Sequence, residues 1–425
     1  MLNTEFMRLT DNFKRKALIW ADSFEHCCIL DSNGYKDPYG RYDFLIAAGA
    51  RKIIETSAVQ AFDTVRNAFA AHPDWYFGIF GYDLKNGIEA LRSQNPDPLE
   101  FPEGCFFAPE HLIVAQAGVL RVEIGNPEIL KQIAEVHAPE SHVHETALIQ
   151  LQPAFPKERY LEKVSNLQRH IARGDVYEVT FCQAFHAEGV TIDPAVTYQR
   201  LNARSPTPFS GYLKLNEKYL LCASPERFLR KQGEKLISQP IKGTGKRHAD
   251  PEADQRAKAQ LRDDLKEQTE NVMIVDLVRN DLTRSAVPAS VQVEEQFGVY
   301  SFAQVHQMIS TISCKLDPDI HFIQAIENTF PMGSMTGAPK IRAMELIEMH
   351  EENKRGAYSG ALGYITPDGD FDLNVVIRSL LYARDKGHLS FQVGSAITAA
   401  SDPDKEYEEC MLKASAIIET IKGPH

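Results

Sequence analysis

The chain has 425 residues, 43% of them hydrophobic and 24% charged, enough apolar material for one large core or two ordinary ones, which excludes disorder as its dominant state. Lys plus Arg number 46 against 58 Asp plus Glu, a formal net charge of −12, and a surface of that sign repels nucleic-acid phosphates and anionic lipid. An anionic small substrate would bind only where local cations, backbone amides or a metal overcome that field.

Residues 1–20 include Glu5, Arg8, Asp11, Lys14, Arg15 and Lys16, which interrupt any apolar run of signal-peptide or membrane-spanning length, and no other stretch is long enough to cross a bilayer. The seven cysteines (Cys27, Cys28, Cys105, Cys182, Cys222, Cys314, Cys410) are odd in number and form no C-x-x-C pair. Neither a disulfide framework nor a zinc site is expected, and a reducing cytoplasm is the expected location. Segments 75–82 and 112–122 read as strands, with a Pro-rich connection over 96–109. Residues 125–156 gather Pro127, Pro139, Pro153 and Pro156 with His137, His142 and His144. No carboxylates stand at fixed spacing from those histidines, so the stretch reads as a solvated linker rather than a metal site. It divides an N-terminal α/β portion, 1–150, from a catalytic portion, 151–425.

Residues 157–173 place Tyr160, Val164, Leu167 and Ile171 on one helical stripe that stops at Gly174. Segment 219–244 reads as a kinked hairpin reversing near Gly233, its ladders interrupted by Pro225 and Pro240. Glu226 and Lys242 each follow one of those prolines, where the backbone leaves regular pairing and a side chain can be aimed into a cleft. On spacing alone an acid and an amine facing one substrate stand beside a plain cross-strand ion pair, and the ion pair is the better reading.

Asp250-Pro251 has the form of a helix N-cap and first-turn residue, opening a long helix with Leu261, Leu265, Val272 and Val275 on one side and Glu267 and Glu270 on the other. The last helix, begun by Asp402-Pro403, has a core stripe of Tyr407, Cys410, Met411, Ala414, Ile417, Ile418 and Ile421, edged by Glu406, Glu409 and Lys413. Carboxylates at i and i+3 on two helices suit a hard divalent cation such as Mg²⁺, which takes oxygen ligands and keeps waters. Glu409 and Lys413 alone make an ordinary i,i+4 pair. Residues 329–349 carry a Gly-rich turn before a helix opened by Pro339. Its amides could face an anion, but it lacks P-loop spacing and reads as a loop-to-helix joint. Gly394 is expected in a turn after a strand over 389–393.

Taken together, SPER from Ser224, PIKGT from Pro240, the run from Glu267 to Asp281 (E-x-x-E-N-x-M-I-V-D-L-x-R-N-D), GAPK from Gly337, RGAYSGALGY from Arg355 and E-x-x-E-x-x-x-K from Glu406 resemble the chorismate-utilising enzymes. The resemblance is dense over 157–421 and thinner towards GIFGYDLKNGIE from Gly78. It implies an α/β (α+β) fold in which antiparallel or mixed sheets form a sandwich flanked by helices. Lysine at Lys242, where anthranilate-forming members carry alanine, points to the branch that replaces the 4-hydroxyl of chorismate by an amino group on the way to p-aminobenzoate and folate. Anthranilate formation is the alternative reading, and a silent Mg²⁺-dependent chorismate-binding protein the non-enzymatic one.

The resemblance further implies Lys242 as nucleophile, Glu226 as proton donor and His306 near the leaving group. Mg²⁺ would be held by Glu270 and Glu409, with Glu267 and Glu406 holding its waters, and substrate would be bound by Tyr358, Arg378, Gly394, Lys413, Ser334 and Thr336. Two positions depart from the pattern. Gly394-Ser395-Ala396 lacks the glycine that relatives place third, and Glu178 stands where isochorismate and salicylate synthases have lysine and amino-transferring relatives commonly glutamine. Glu178 is read as a solvent-facing strand residue without a catalytic role. None of the cysteines sits in a G-x-C-x-G elbow. A separate glutamine amidotransferase subunit supplying ammonia is therefore the implied partner.

Overall fold

The computed structural model describes residues 7–138 and 149–422. Pro139, His142 and His144 of the expected linker lie outside the described residues. Two antiparallel sheets, of eleven and ten strands among the described residues, carry the architecture. Strands from either side of residue 150 share both: His26–Asp31 pairs with Phe209–Leu215 in the first, and Tyr76–Phe80 with Ala361–Ile365 in the second. The two portions are therefore continuous in hydrogen bonding.

Period-two alternation explains the layering. In the first sheet Leu213, Leu215, Leu220 and Cys222 point inward and join one apolar cluster with Phe77, Leu229 and Leu373 of the second. Their neighbours Tyr212, Tyr219 and Leu221 face the other way and pack, in a second cluster, against helices that include Lys157–Ala172, Pro194–Arg204 and Pro403–Lys422. The helix read over 157–173 forms over Lys157–Ala172, and Gly174 follows it at φ +83°.

Four local expectations change. Segment 112–122 is not one strand but a hairpin, His111–Gln116 and Val119–Ile124, turning at Ala117 and Gly118 with φ +50° and +72°. Segment 219–244 is not a single hairpin. Lys218–Ser224 belongs to the first sheet and Arg227–Gln232 to the second, so Pro225 and Glu226 sit where the chain crosses between layers. Asp264 breaks the long helix into Pro251–Asp263 and Leu265–Thr283, and its carboxylate caps the second by accepting from the amides of Lys266 and Glu267. The break rotates the expected stripe: Leu265 is 78% exposed and Val272 also exposed, while Ile274, Val275, Val278 and Leu282 are buried. Finally, the strand expected to end at Val393 runs His388–Ile397, with Gly394 inside it.

Candidate active site

A cavity of about 200 Å³ opens where the two sheets meet the helices Leu265–Thr283 and Pro403–Lys422. Its walls include Glu226, Lys242, Glu267, Glu270, Ser334, Tyr358, Arg378, Gly394, Glu406, Glu409 and Lys413. Residues from five of the six motifs thus converge, while GAPK does not reach the wall. Pro225 and Pro240 do the local work. One ends the ladder of Lys218–Ser224, and the other separates Lys235–Gln239 from Ile241–Lys246, so Glu226 and Lys242 are presented from chain breaks rather than from mid-ladder.

Electrostatics divide the cavity into two ends. Burial pushes the Glu226 carboxyl up to about 7, against the opposing pull of Lys242 and Lys413. Burial likewise draws Arg378 down to about 10, and among the described residues its guanidinium carries no hydrogen bond. Arg378 also sits at φ +51°, a left-handed conformation costly for a non-glycine residue. A cation held in a strained conformation with unspent donors is fitted to a carboxylate arriving from solution. Tyr358 lies beside it in the wall, its hydroxyl 3.7 Å from Cys182 Sγ.

At the other end four glutamates collect. Burial, then the neighbouring Glu270, raise Glu267 to about 7, and burial raises Glu270 too. Glu409 shifts the other way because Lys413 bonds it at 2.7 Å. Lys413 Nζ also donates to the Gly394 carbonyl at 3.0 Å, pinning the last helix to the strand beneath. Gly394 must be glycine there, since a Cβ would stand 2.4 Å from Cys182 Sγ. No three His, Cys, Asp or Glu side chains among the described residues form a ready-made metal cluster.

The wall does not include His306 or Thr336. Both ring nitrogens of His306 are engaged, Nδ1 with Ser301 Oγ at 2.8 Å and Nε2 with Asp254 at 3.1 Å. Thr336 is fully buried, its hydroxyl donating to the Gly333 carbonyl at 3.1 Å. The loop before Pro339 is braced from within: Lys340 Nζ donates to Asp281 at 2.6 Å and to the Pro331 carbonyl at 2.9 Å. Arg355 has the same kind of role. Buried to 2% exposure, it bonds Glu351 through two nitrogens and donates to the carbonyls of Met335 and Thr180.

The reading of Glu178 as solvent-facing is wrong. It is 3% exposed, and Lys242 Nζ donates to its Oε1. By the period of two along its strand, Glu178–Ala187, its side chain shares the face of Thr180, which lines the cavity, and meets Lys242 there rather than solvent. Lys266, Gln307 and Thr180 also line the cavity unforeseen. The position of Lys266 beside Glu267 was the available signal, whereas Gln307 and Thr180 carry none.

The chorismate binding enzyme family model matches residues 25–419. The chain belongs to that family. Anthranilate synthase component 1 of Thermus thermophilus is 34% identical over 371 residues, covering 83% of this chain and 79% of that protein. Aminodeoxychorismate synthase component 1 of Escherichia coli is 33% identical over 348 residues, covering 81% and 76%. Aminodeoxychorismate synthase of Streptomyces pristinaespiralis is 42% identical over 268 residues, but the match spans only 37% of that longer protein. Among solved structures, anthranilate synthase component I from Streptococcus pneumoniae superposes with a TM-score of 0.79 at 25% identity, over 91% of this chain and 94% of that one. The expected α/β sandwich is therefore the family's fold, and the protein is a chorismate-utilising enzyme of the aminodeoxychorismate and anthranilate synthase type.

Proposed function

We propose that this protein converts chorismate and ammonia to 4-amino-4-deoxychorismate, as an aminodeoxychorismate synthase component I. Relatives of both the aminating and the anthranilate-forming kind stand at similar identity, so overall likeness does not choose between them. The observation that carries the choice is Lys242, a primary amine in the cavity wall with the protonatable Glu226 in the same wall.

Hydroxide is a poor leaving group, and an amine that adds at C2 with allylic loss of the 4-hydroxyl replaces one hard displacement by two easier ones. Glu226, neutral over part of the physiological range, would give its proton to the departing oxygen. Arg378 and Tyr358 would grip the enolpyruvyl carboxylate. Mg²⁺ would suit the opposite end, where the four candidate donors are carboxylates and burial raises Glu267 and Glu270, so that their charged forms gain from a divalent ion despite the nearby lysines. Glu270 and Glu409 would hold it, with Glu267 and Glu406 holding its waters. When bound, the ion would neutralise the ring carboxylate of chorismate. All seven cysteines are buried, which suits ammonia supplied by a separate amidotransferase.

The test is incubation of the purified protein with chorismate, Mg²⁺ and an ammonium salt, with products identified by mass. Aminodeoxychorismate, lost in Lys242→Ala while chorismate still binds, is the expected result. Anthranilate from the unmodified enzyme would overturn the proposal in favour of the second reading, which the Thermus thermophilus relative supports.

A further inference from the structure

The nucleophile assigned to Lys242 faces a difficulty visible in its surroundings. An amine attacks carbon only when neutral, and burial favours that form, yet the carboxylates of Glu178 and Glu270 outweigh burial and hold Lys242 as the ammonium. Charged groups meet it from each element packed around it: Glu178 from the strand Glu178–Ala187, Glu270 from the helix Leu265–Thr283, Lys413 from the helix Pro403–Lys422, and Glu226 from the crossing between sheets. Of these, Glu178 is the one in hydrogen-bond contact with Nζ.

Three features of Glu178 go beyond an ordinary ion pair. It is buried with Lys242, so the pair exchanges little with water. Its second oxygen, Oε2, is buried without a hydrogen-bond partner among the described residues, leaving an acceptor position open. Its backbone is clamped: Ala338 pairs with it across the ladder, and Gly337 approaches so closely that a Cβ there would lie 2.1 Å from the Glu178 carbonyl oxygen. Rigid placement of an acceptor against the reacting nitrogen is what a general base requires.

Resting on the amination reading above, we propose that Glu178 is the catalytic base that takes a proton from the Lys242 ammonium and returns it at the end of each turnover. In the first half, an N–H bond of Lys242 breaks and an O–H bond forms on Glu178. The freed lone pair bonds C2 of the ring, the double bond shifts, and the C4–O bond breaks as Glu226 protonates the oxygen, which leaves as water. In the second half ammonia bonds C4, the C2–N bond breaks, and Lys242 leaves as the neutral amine. Glu178 gives its proton back to Lys242, and the new C4 ammonium gives one to Glu226. The sum is chorismate plus ammonia to aminodeoxychorismate plus water, with both carboxyl groups restored. The two acids divide the work because their settings differ: one is buried towards its neutral form, the other is held against a cation.

The experiment compares parent, Glu178→Gln and Glu178→Asp with chorismate, Mg²⁺ and ammonium across pH 6–9, following product by mass. Glutamine keeps an acceptor for Nζ but cannot carry the proton. Its expected signature is a chorismate KM close to the parent's with kcat lowered about 100-fold at neutral pH, the lower end of what general acid–base catalysis supplies. The deficit should shrink as rising pH supplies the neutral amine without help. Glu178→Asp preserves the charge at a shorter reach, so it should lose rate at unchanged KM, and it decides the matter if the glutamine variant does not fold. Parental kcat and pH profile in either variant, with aminodeoxychorismate still the product, would make Glu178 a tether only and overturn this proposal alone. Anthranilate from the parent would overturn the amination reading and this proposal together.

Discussion

Lys266 Nζ lies 3.6 Å from Glu270 Oε1, one helical turn away on the same helix, with Glu267, Glu406 and Glu409 also close enough to act on its charge. A side-chain cation thus lies among the carboxylates proposed to hold Mg²⁺. Two cations compete for one field, so lysine and metal bind at each other's expense. Lys266→Met should bind Mg²⁺ more tightly in calorimetric titration with MgCl₂ alone, by roughly two- to fivefold, given that half-exposed pairs contribute about 0.2–1 kcal/mol. Weaker or unchanged Mg²⁺ affinity would show that Lys266 does not share the site.

Glu226 gives a pH dependence with a definite sign. Its carboxyl is raised from 4.5 to about 7 by burial, so the acid form declines as pH rises through 7, and kcat for amination should fall over the same range. Glu226→Gln should retain chorismate binding and lose about 10²-fold or more in kcat. Stability follows the same proton. A folded-state value above the unfolded one contributes stability present below 4.5 and lost as pH rises through about 7. Thermal unfolding at pH 6 and pH 8 should therefore favour Glu226→Gln over the parent more at the higher pH. An equal difference at both values would show that Glu226 does not titrate there.

The buried pair of Arg355 and Glu351 underlies the cavity floor, joining Met335 in the loop to Thr180 in the strand. Arg355→Met would leave Glu351 as an unpaired buried acid, a change that costs about 3–5 kcal/mol. Lysine cannot reproduce the forked geometry and should recover little. Denaturant unfolding checks both variants, and a double change, Arg355→Met with Glu351→Gln, should restore part of the loss because no charge is stranded.

Legibility in the sequence followed the range of the interactions. Helix ends were readable where a cap sits beside the helix it starts, as Asp250 and Asp402 do for the amides of Ala253 and Asp404. Glu267, Glu270, Glu406 and Glu409 could be paired because i,i+3 spacing is a local fact that survives folding. Asp264 was missed because acidic residues crowd that stretch and only the backbone shows which one caps. Pairing across sheets left no such mark. That Ser224 and Arg227 belong to different sheets, and that Lys242 meets Glu178, depends on contacts between segments far apart in the chain. Burial of an acid follows from what lies over it, and for Glu178 that includes Lys242, 64 residues along the chain.

Gly337 connects those long-range contacts to the chemistry. It sits at φ +152° with its α-carbon against the Glu178 carbonyl, and the Thr336 carbonyl just before it accepts from the Thr180 amide at 2.7 Å. A methyl group has nowhere to go: the nearest atoms are backbone at 2.1 Å and the Ala343 side chain at 2.9 Å, so strand and loop must separate. Separation displaces Glu178, whose Oε1 accepts from Lys242 Nζ. Gly337→Ala is therefore expected to lose about 1–3 kcal/mol of stability in denaturant unfolding, and to lose amination much more than Mg²⁺ affinity. Loss of both in equal measure would mean that the loop supports the metal end as well, and that Gly337 acts on the whole cavity rather than on the amine.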